Sequence, residues 1–198
     1  STDDSANLME VTNNVIDVYF VPSDNVKPVI SFGNYNNHVV FSGETFRNNM
    51  TVTDNYGVQS VSIPQTSDIA VSKNNSNTEI TGTAPNVTSQ TTKAVKVIAT
   101  DKSNNQTEQS FNVLIKPLKD KYHVTSSSTI QNPIRISSIR NGTTLTQTEK
   151  NTVINSLTIT NNEPNRTYVT APKNEIRSKE VSNVTNTNNN SSVTVTIT

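Results

Sequence analysis

Acidic and carboxamide side chains in polar, turn-like segments are the residues of this chain best suited to bind a metal. Asp54 and Asn55 stand in one such segment, Asp101 in a second and Asp24 in a third. Calcium is bound by carboxylates, backbone carbonyls and Asn side chains. The same residue types also stabilise turns by bonding their own backbone. The sequence therefore leaves two readings open, a calcium site or ordinary turn chemistry, and it indicates no other cofactor.

Catalytic chemistry finds few suitable side chains. The chain has no cysteine, and His38 and His123 are its two histidines. A nucleophile needs a base and an orienting group close by, and zinc needs a third or fourth ligand at a suitable spacing. Five glycines form no phosphate-binding loop, and the sixteen acidic residues are dispersed, without the paired carboxylates of a glycosidase. We predict that the chain is not an enzyme, and a hydrolase is the remotest hypothesis.

Two tyrosines could contact a ligand. Tyr35 and Tyr56 lie in polar stretches, where an aromatic ring can stack on a sugar or contact a protein. The phenylalanines stand mostly at alternating positions of predicted strands, which favours core packing. The alternative function on this basis is a dedicated glycan- or protein-binding module.

The composition indicates folded β-structure. Of 198 residues, 31% are hydrophobic and 16% charged, and the formal net charge is zero. Abundant Val, Ile and Thr suit strands with one apolar face and one hydroxyl or amide face. Zero net charge argues against nucleic-acid binding, which needs a concentrated basic surface. No apolar run has the length of a transmembrane helix, so membrane insertion is not predicted.

Hydrophobic alternation divides the chain into modules. Residues 15–21 alternate like a strand, and we interpret residues 1–27 as the terminal strand of a preceding module plus a Pro-bounded linker. The alternative is that this strand is the first of the next sheet. Residues 28–117 contain about seven short strands separated by turn signals, typical of an immunoglobulin-like β-sandwich. The predicted strands are 29–32, 38–41, 50–53, 58–63, 69–72, 78–81, 94–100 and 109–115.

The last third of the chain has a different pattern. Residues 118–132 are polar, and we interpret them as a connector. Thr146 and Glu149 have the spacing of a capping box, and apolar side chains at 153, 154 and 157 form one stripe, so we predict a helix over about 147–157. Strands are predicted at 134–139, 176–184 and 192–197, with polar coil between the helix and the second of them. We predict a small α+β, β-grasp-like module over 133–198.

Two motifs resemble known bacterial modules. Residues 51–58 read TVTDNYGV and residues 97–105 read VIATDKSNN. Together they resemble the "TxTDNxG … VxATDxxGN" pattern of bacterial cadherin-like and immunoglobulin-like repeats. Asn104 stands where the repeat usually has glycine, and asparagine can adopt the left-handed backbone that this turn needs. Residues 145–153, LTQTEKNTV, resemble the "LTxxEKxxV" helix of repeat modules in Gram-positive surface proteins.

The resemblance points to giant staphylococcal surface proteins of the extracellular-matrix-binding (Ebh-like) type and to serine-rich adhesins with cadherin-like modules. It implies a mainly β fold, a location on the cell wall of a Gram-positive bacterium, and neighbouring modules in one long chain. It also implies a non-enzymatic stalk or scaffold, with a host extracellular matrix protein or glycan as a partner. Calcium-binding relatives use several acidic residues, and in this sequence only Asp24, Asp54 and Asp101 stand in comparable places, a departure that weakens the calcium prediction.

Overall fold

A computed structural model describes residues 15–20, 23–33, 37–64, 69–135, 145–161, 163–184 and 191–198. Its first eight strands form two packed sheets. The order is β1-β3-β6-β5 in sheet one and β2-β8-β7-β4 in sheet two, and all pairs are antiparallel except the parallel pair β2–β8. The strands are β1 (Val29–Phe32), β2 (Asn37–Phe41), β3 (Thr45–Thr53), β4 (Val58–Ser62), β5 (Ala70–Lys73), β6 (Glu79–Thr83), β7 (Thr91–Asp101) and β8 (Gln106–Lys116).

Alternating side chains from both sheets fill the core between them. In β7, Val95, Val97 and Ala99 are buried while their neighbours are not, as the two-residue period of a strand requires. The same period buries Phe111, Val113 and Ile115 of β8. Sheet one contributes Ile30, Phe46, Met50 and Ile80. The prediction of a mainly β chain containing an immunoglobulin-like sandwich is confirmed.

Strand β3 is longer than the strand predicted over 50–53. Its first half alternates Phe46, Asn48 and Met50 toward the core, and all three are buried. Because Asn48 is polar, the alternation of apolar residues is interrupted there, and hydropathy alone does not reveal the first half of the strand.

The rest of the chain adds shorter elements. A 3-10 turn (Leu118–Asp120) precedes β9 (Tyr122–Ser126), which pairs with β10 (Leu157–Asn161), while β12 (Lys179–Val181) pairs with β13 (Val195–Ile197). Helix α1 (Gln147–Asn155) begins at the predicted capping box: the Thr146 hydroxyl accepts from the Glu149 N–H, and the Glu149 carboxylate accepts from the Thr146 N–H.

Some expectations for this region differ from the structure. The predicted connector contains β9, and the predicted coil after the helix contains β10. Strand β10 does alternate apolar and polar residues from Leu157 to Thr160, but Leu157 also completes the apolar stripe that predicts the helix, and β9 has one aliphatic residue, Val124. Of the strand predicted over 134–139, residues 134 and 135 are not in a strand and 136–139 lie outside the described residues. The β-grasp arrangement and the module boundaries stay predictions.

The sandwich and the later segment are joined by a strand. Strand β11 (Val169–Thr170) pairs with the first two residues of β3. Strand β1 pairs with the last four residues of β3, on the same edge. Near the start of the described chain, residues 15–20 form no strand, although their alternation predicted one. Tyr19 and Phe20 are 86% and 89% exposed. The preceding module that we predicted from this alternation stays a prediction.

Candidate functional site

Three aspartates meet at one end of the sandwich. Asp54 follows β3, Asp101 ends β7, and Asp24 precedes β1. A carboxylate oxygen from each lies within 4.8 Å of the others. The sequence predicted these three residues as one candidate metal site, and the fold brings them together because the β3–β4 and β7–β8 turns lie at the same end.

Both oxygens of the Asp101 carboxylate accept hydrogen bonds inside its turn. Its Oδ1 accepts the N–H groups of Ser103 and Asn105, both at 2.8 Å, and its Oδ2 accepts the Asn105 side-chain amide at 2.8 Å. Burial alone would raise the pKa of Asp101, but the hydrogen bonds from Asn105 and Ser103 outweigh it and lower the pKa. Asn104 has φ +67°, which confirms the predicted left-handed position.

Asp54 and Asp24 each have one oxygen in use and one without a partner. Asp54 Oδ2 accepts the N–H groups of Tyr56 and Gly57 at 2.7 and 2.9 Å, and Asp24 Oδ1 accepts the Val26 N–H at 3.0 Å. The other oxygens, Asp54 Oδ1 and Asp24 Oδ2, are buried with no hydrogen-bond donor. A buried carboxylate oxygen without a donor is costly, and three like charges at this separation repel one another.

Asn105 and Asn55 donate hydrogen bonds at this cluster, and Tyr56 lies beside it. Asn105 ties the linker to the cluster, because its amide also donates to the Asp24 carbonyl at 2.9 Å. Asn55, which we predicted as a metal ligand, donates a hydrogen bond from its side-chain amide to Asp24 Oδ1 at 3.2 Å. Tyr56 is 42% exposed beside this cluster, and Tyr35 lies outside the described residues.

The cluster's donor set fits a hard cation. It offers three carboxylates, two of them with a free buried oxygen, next to backbone carbonyls in the same loops. Calcium accepts such mixed oxygen sets. Within the described part of the chain, no ion pair joins these aspartates to a lysine or arginine. The aspartates also hold their own turns, so calcium binding and turn chemistry both stay predictions.

A second cluster of charges, which the sequence did not indicate, lies at the β2–β3 turn. The Glu44 side chain is 1% exposed. Arg166 donates hydrogen bonds from Nη1 to Glu44 Oε1 and from Nη2 to Glu44 Oε2, both at 2.8 Å. The Phe41 N–H donates to Oε1 at 2.6 Å, and the guanidinium of Arg166 lies 5.0 Å from the Phe41 ring centre. Arg166 also donates to the Val39 carbonyl at 3.0 Å.

Lys121 extends this cluster to a second carboxylate. Its ammonium lies 3.3 Å from Glu44 Oε2 and 2.7 Å from Glu175 Oε1. We call Glu44, Arg166, Lys121 and Glu175 the charge cluster; its two acids and two cations sum to zero. Burial disfavours the charged form of Lys121, but Glu175 and Glu44 outweigh it and raise its pKa. No spacing motif marks these residues, because their contacts span 54 to 122 positions of sequence.

No family model matches the chain, but individual proteins do. It is 56% identical, over 187 residues and 94% of its length, to the extracellular matrix-binding protein EbhB of Staphylococcus aureus strain N315. The extracellular matrix-binding protein ebh of strain JH9 matches with the same identity and coverage.

The chain is homologous to a segment of the staphylococcal extracellular matrix-binding proteins. This confirms the resemblance stated from the motifs. The chain spans only 5% and 2% of the lengths of these two relatives.

Two solved structures share a partial likeness. The BIgI domain of the beta protein from S. agalactiae, bound to CEACAM1, is 16% identical with a TM-score of 0.32, over 46% of this chain and 97% of that one. The D00-D0 domain of intimin is 13% identical with a TM-score of 0.36, over 51% and 57%. No helix among the described residues is long and apolar enough to cross a membrane.

Proposed function

We propose that this chain is a non-enzymatic, load-bearing segment of a staphylococcal surface protein, acting as a stalk or scaffold on the cell wall. The observation that carries the proposal is the charge cluster. A sandwich carboxylate, Glu44, takes its counter-ions from Lys121 and Arg166, which lie beyond the sandwich in sequence. Strand β11 adds backbone pairing at the same place. Consecutive segments of the chain therefore resist separation, which is what a stalk under tension requires.

The experiment is to pull the chain by its two ends in a single-molecule force instrument. We expect the sandwich and the segment around Arg166 to yield in one event, because separating them would leave Glu44 buried with fewer counter-ions. The Arg166→Ala variant should show an additional, earlier extension at low force. If the wild-type chain extends in low-force steps like the variant, the segment does not bear load as one unit.

Extracellular matrix is the proposed partner of the whole surface protein, since the relatives are named for binding it. For this segment we propose a supporting role, with neighbouring modules of the long chain on either side. The alternative, a binding module proper, is favoured by one observation: Tyr56 is 42% exposed next to the aspartates. Saturable binding to an immobilised panel of matrix proteins and glycans, lost in Tyr56→Ala but kept in Tyr19→Ala, would establish the alternative and remove the scaffold assignment.

We also propose that calcium binds Asp24, Asp54 and Asp101 and stiffens the entry to the sandwich. The two unpartnered buried oxygens and the Asn105 bonds to both the linker and Asp101 support this. A cation shared by the linker and two turns would fix the direction in which the preceding chain leaves.

A further inference from the structure

Residues 163–175, here called the strap, contact the edges of both sheets. The Tyr168 carbonyl accepts the Arg47 N–H at 2.9 Å, and Val169 pairs with Phe46. The strap therefore adds a short strand to sheet one, beside β3. The Tyr168 hydroxyl lies 3.3 Å from both the N and the O of Val39, on β2 of sheet two. The strap therefore closes the seam between the two sheets on this side of the sandwich.

The seam has the features of a binding site for an extended peptide segment. Glu44 provides a buried carboxylate, the edge of β3 provides backbone groups, and the His38 ring lies 4.4 Å from the ring centre of Tyr168. Strand addition of this kind takes its affinity from main-chain bonds and its specificity from side-chain pockets. The matching ligand is an extended segment with an arginine two positions before an aromatic residue, as in Arg166 and Tyr168.

The described residues between the sandwich and the strap are mostly exposed. In β9 and β10 the residues are exposed or half-buried, and α1 contributes no buried residue. The strap's own partners in the sandwich lie 120 to 129 positions earlier in sequence. A strap that left its seam would lose the contacts of Arg166, Tyr168 and Val169, and an identical strap from another molecule would restore every one of them. Exchange of identical elements is a low-cost route to dimers.

We propose that the seam is a strand-acceptor site that takes the strap of a second copy of this chain as well as its own. Neighbouring copies are thereby linked through exchanged straps. The inference does not depend on the stalk function proposed above, because it concerns binding between copies and not the response to load.

The first test uses the absence of native cysteine. Thr45 and Thr170 are directly opposed in the β3–β11 pair, and opposed residues of an antiparallel pair are within disulfide range. Full chains carrying Thr45→Cys and full chains carrying Thr170→Cys are mixed under thiol–disulfide exchange. We expect the mixed heterodimer to exceed both homodimers several-fold. The control mixture replaces Thr45→Cys with Ser72→Cys, an exposed site on β5, at the far edge of sheet one.

A mixed heterodimer no more abundant than this control would overturn the proposal. A single chain carrying both Thr45→Cys and Thr170→Cys should form the disulfide within itself, which shows that the geometry permits this bond. Adding Arg166→Ala to the Thr170→Cys chain should lower the heterodimer yield, because the exchanged strap then lacks the partner of Glu44.

The second test uses a synthetic peptide of residues 163–175. Added to the full-length Arg166→Ala variant, it should raise the midpoint temperature Tm, and the same peptide with Arg166→Ala should not. If the Arg166→Ala chain does not fold, the peptides are added instead to the Tyr168→Phe chain, which lacks only one hydroxyl. Equal Tm values with both peptides would show that the seam does not accept a strap from outside its own chain.

Discussion

Glu44 and Arg166 form a two-point ion pair with both N–O distances at 2.8 Å, although 122 residues separate them in sequence. The planar guanidinium matches the carboxylate, and such paired bonds are among the strongest that side chains make. The two side chains are 1% and 10% exposed, so the pair is largely withdrawn from water. The sandwich carboxylate therefore depends on a residue outside the predicted sandwich of residues 28–117.

Replacing Arg166 by alanine should destabilise the chain by about 3–5 kcal/mol, because it leaves a buried carboxylate short of its main partner. Urea unfolding followed by circular dichroism measures this change. Arg177→Ala is the matched control: Arg177 is exposed, and surface substitutions usually change stability by less than about 0.5 kcal/mol. Equal effects of the two substitutions would show that the ion pair contributes little. In the double variant with Glu44→Gln, the costs should be clearly less than additive.

The stability of the chain should fall in acid through Glu44. Burial alone would raise the pKa of Glu44, but hydrogen bonds from Arg166 and Phe41 and the charges of Arg166 and Lys121 lower it below the ordinary 4.5. A lowered pKa in the folded state stabilises the fold above the unfolded pKa, and this contribution is lost as the pH falls through the folded pKa. The difference in unfolding free energy between wild type and Glu44→Gln should therefore shrink below about pH 4.5.

The control for the pH series is Glu108→Gln. Glu108 pairs with Lys96 at 3.3 Å, but the two side chains are 57% and 39% exposed, so its removal should change the free energy of unfolding only slightly. On the alkaline side, the pKa of Lys121 is raised above its ordinary 10.5, so its contribution persists until the pH rises through that raised value. A wild-type curve parallel to that of Glu44→Gln throughout the acid range would contradict the assignment.

The parts of the fold that were predictable are those encoded by neighbouring residues. Apolar alternation located the eight sandwich strands, most to within three residues at either end, and the capping box located the start of α1. Turn chemistry placed Asp54 and Asp101 in loops at one end. Long-range pairing was not predictable in this way: Glu44, Arg166 and Lys121 stand in ordinary polar stretches, and only the folded backbone shows that they meet. Strand β10 was missed because its first residue, Leu157, also fits the apolar stripe of the predicted helix, and β9 because Val124 is its one aliphatic residue.

Gly82 is required by the packing of Phe46 against β6. A Cβ at position 82 would lie 2.4 Å from Phe46 Cζ, and Phe46 is fully buried, so its ring cannot move into solvent. Gly82→Ala should cost about 1–3 kcal/mol, the usual effect of overpacking a core. Thr83→Ala, on the next residue of the same strand, is the control and should be mild. Adding Phe46→Leu should recover part of the loss in Gly82→Ala; a purely additive double variant would refute the steric explanation.

Calcium should reverse the effect of removing an aspartate charge. In chelator, Asp24→Asn should leave Tm unchanged or raise it, because it relieves repulsion among three carboxylates whose oxygens lie within 4.8 Å. In millimolar calcium, the same substitution should lower Tm relative to wild type. A ligand at ten times its Kd adds about 1.4 kcal/mol, which corresponds to about 3–6 °C for a chain of this size. Asp24 is preferred over Asp101 for this test, since both Asp101 oxygens already hold their own turn.

The control for the calcium series is Asp120→Asn, an exposed aspartate in the 3-10 turn after the sandwich. Its effect on Tm should be the same with and without calcium. Magnesium, which demands a tighter octahedral shell, should substitute poorly. If wild type gains no stability in calcium and Asp24→Asn shifts Tm equally in both buffers, the three aspartates serve only to hold the turns and the linker. The entry to the sandwich would then be held by the Asn105 hydrogen bonds and not by a cation.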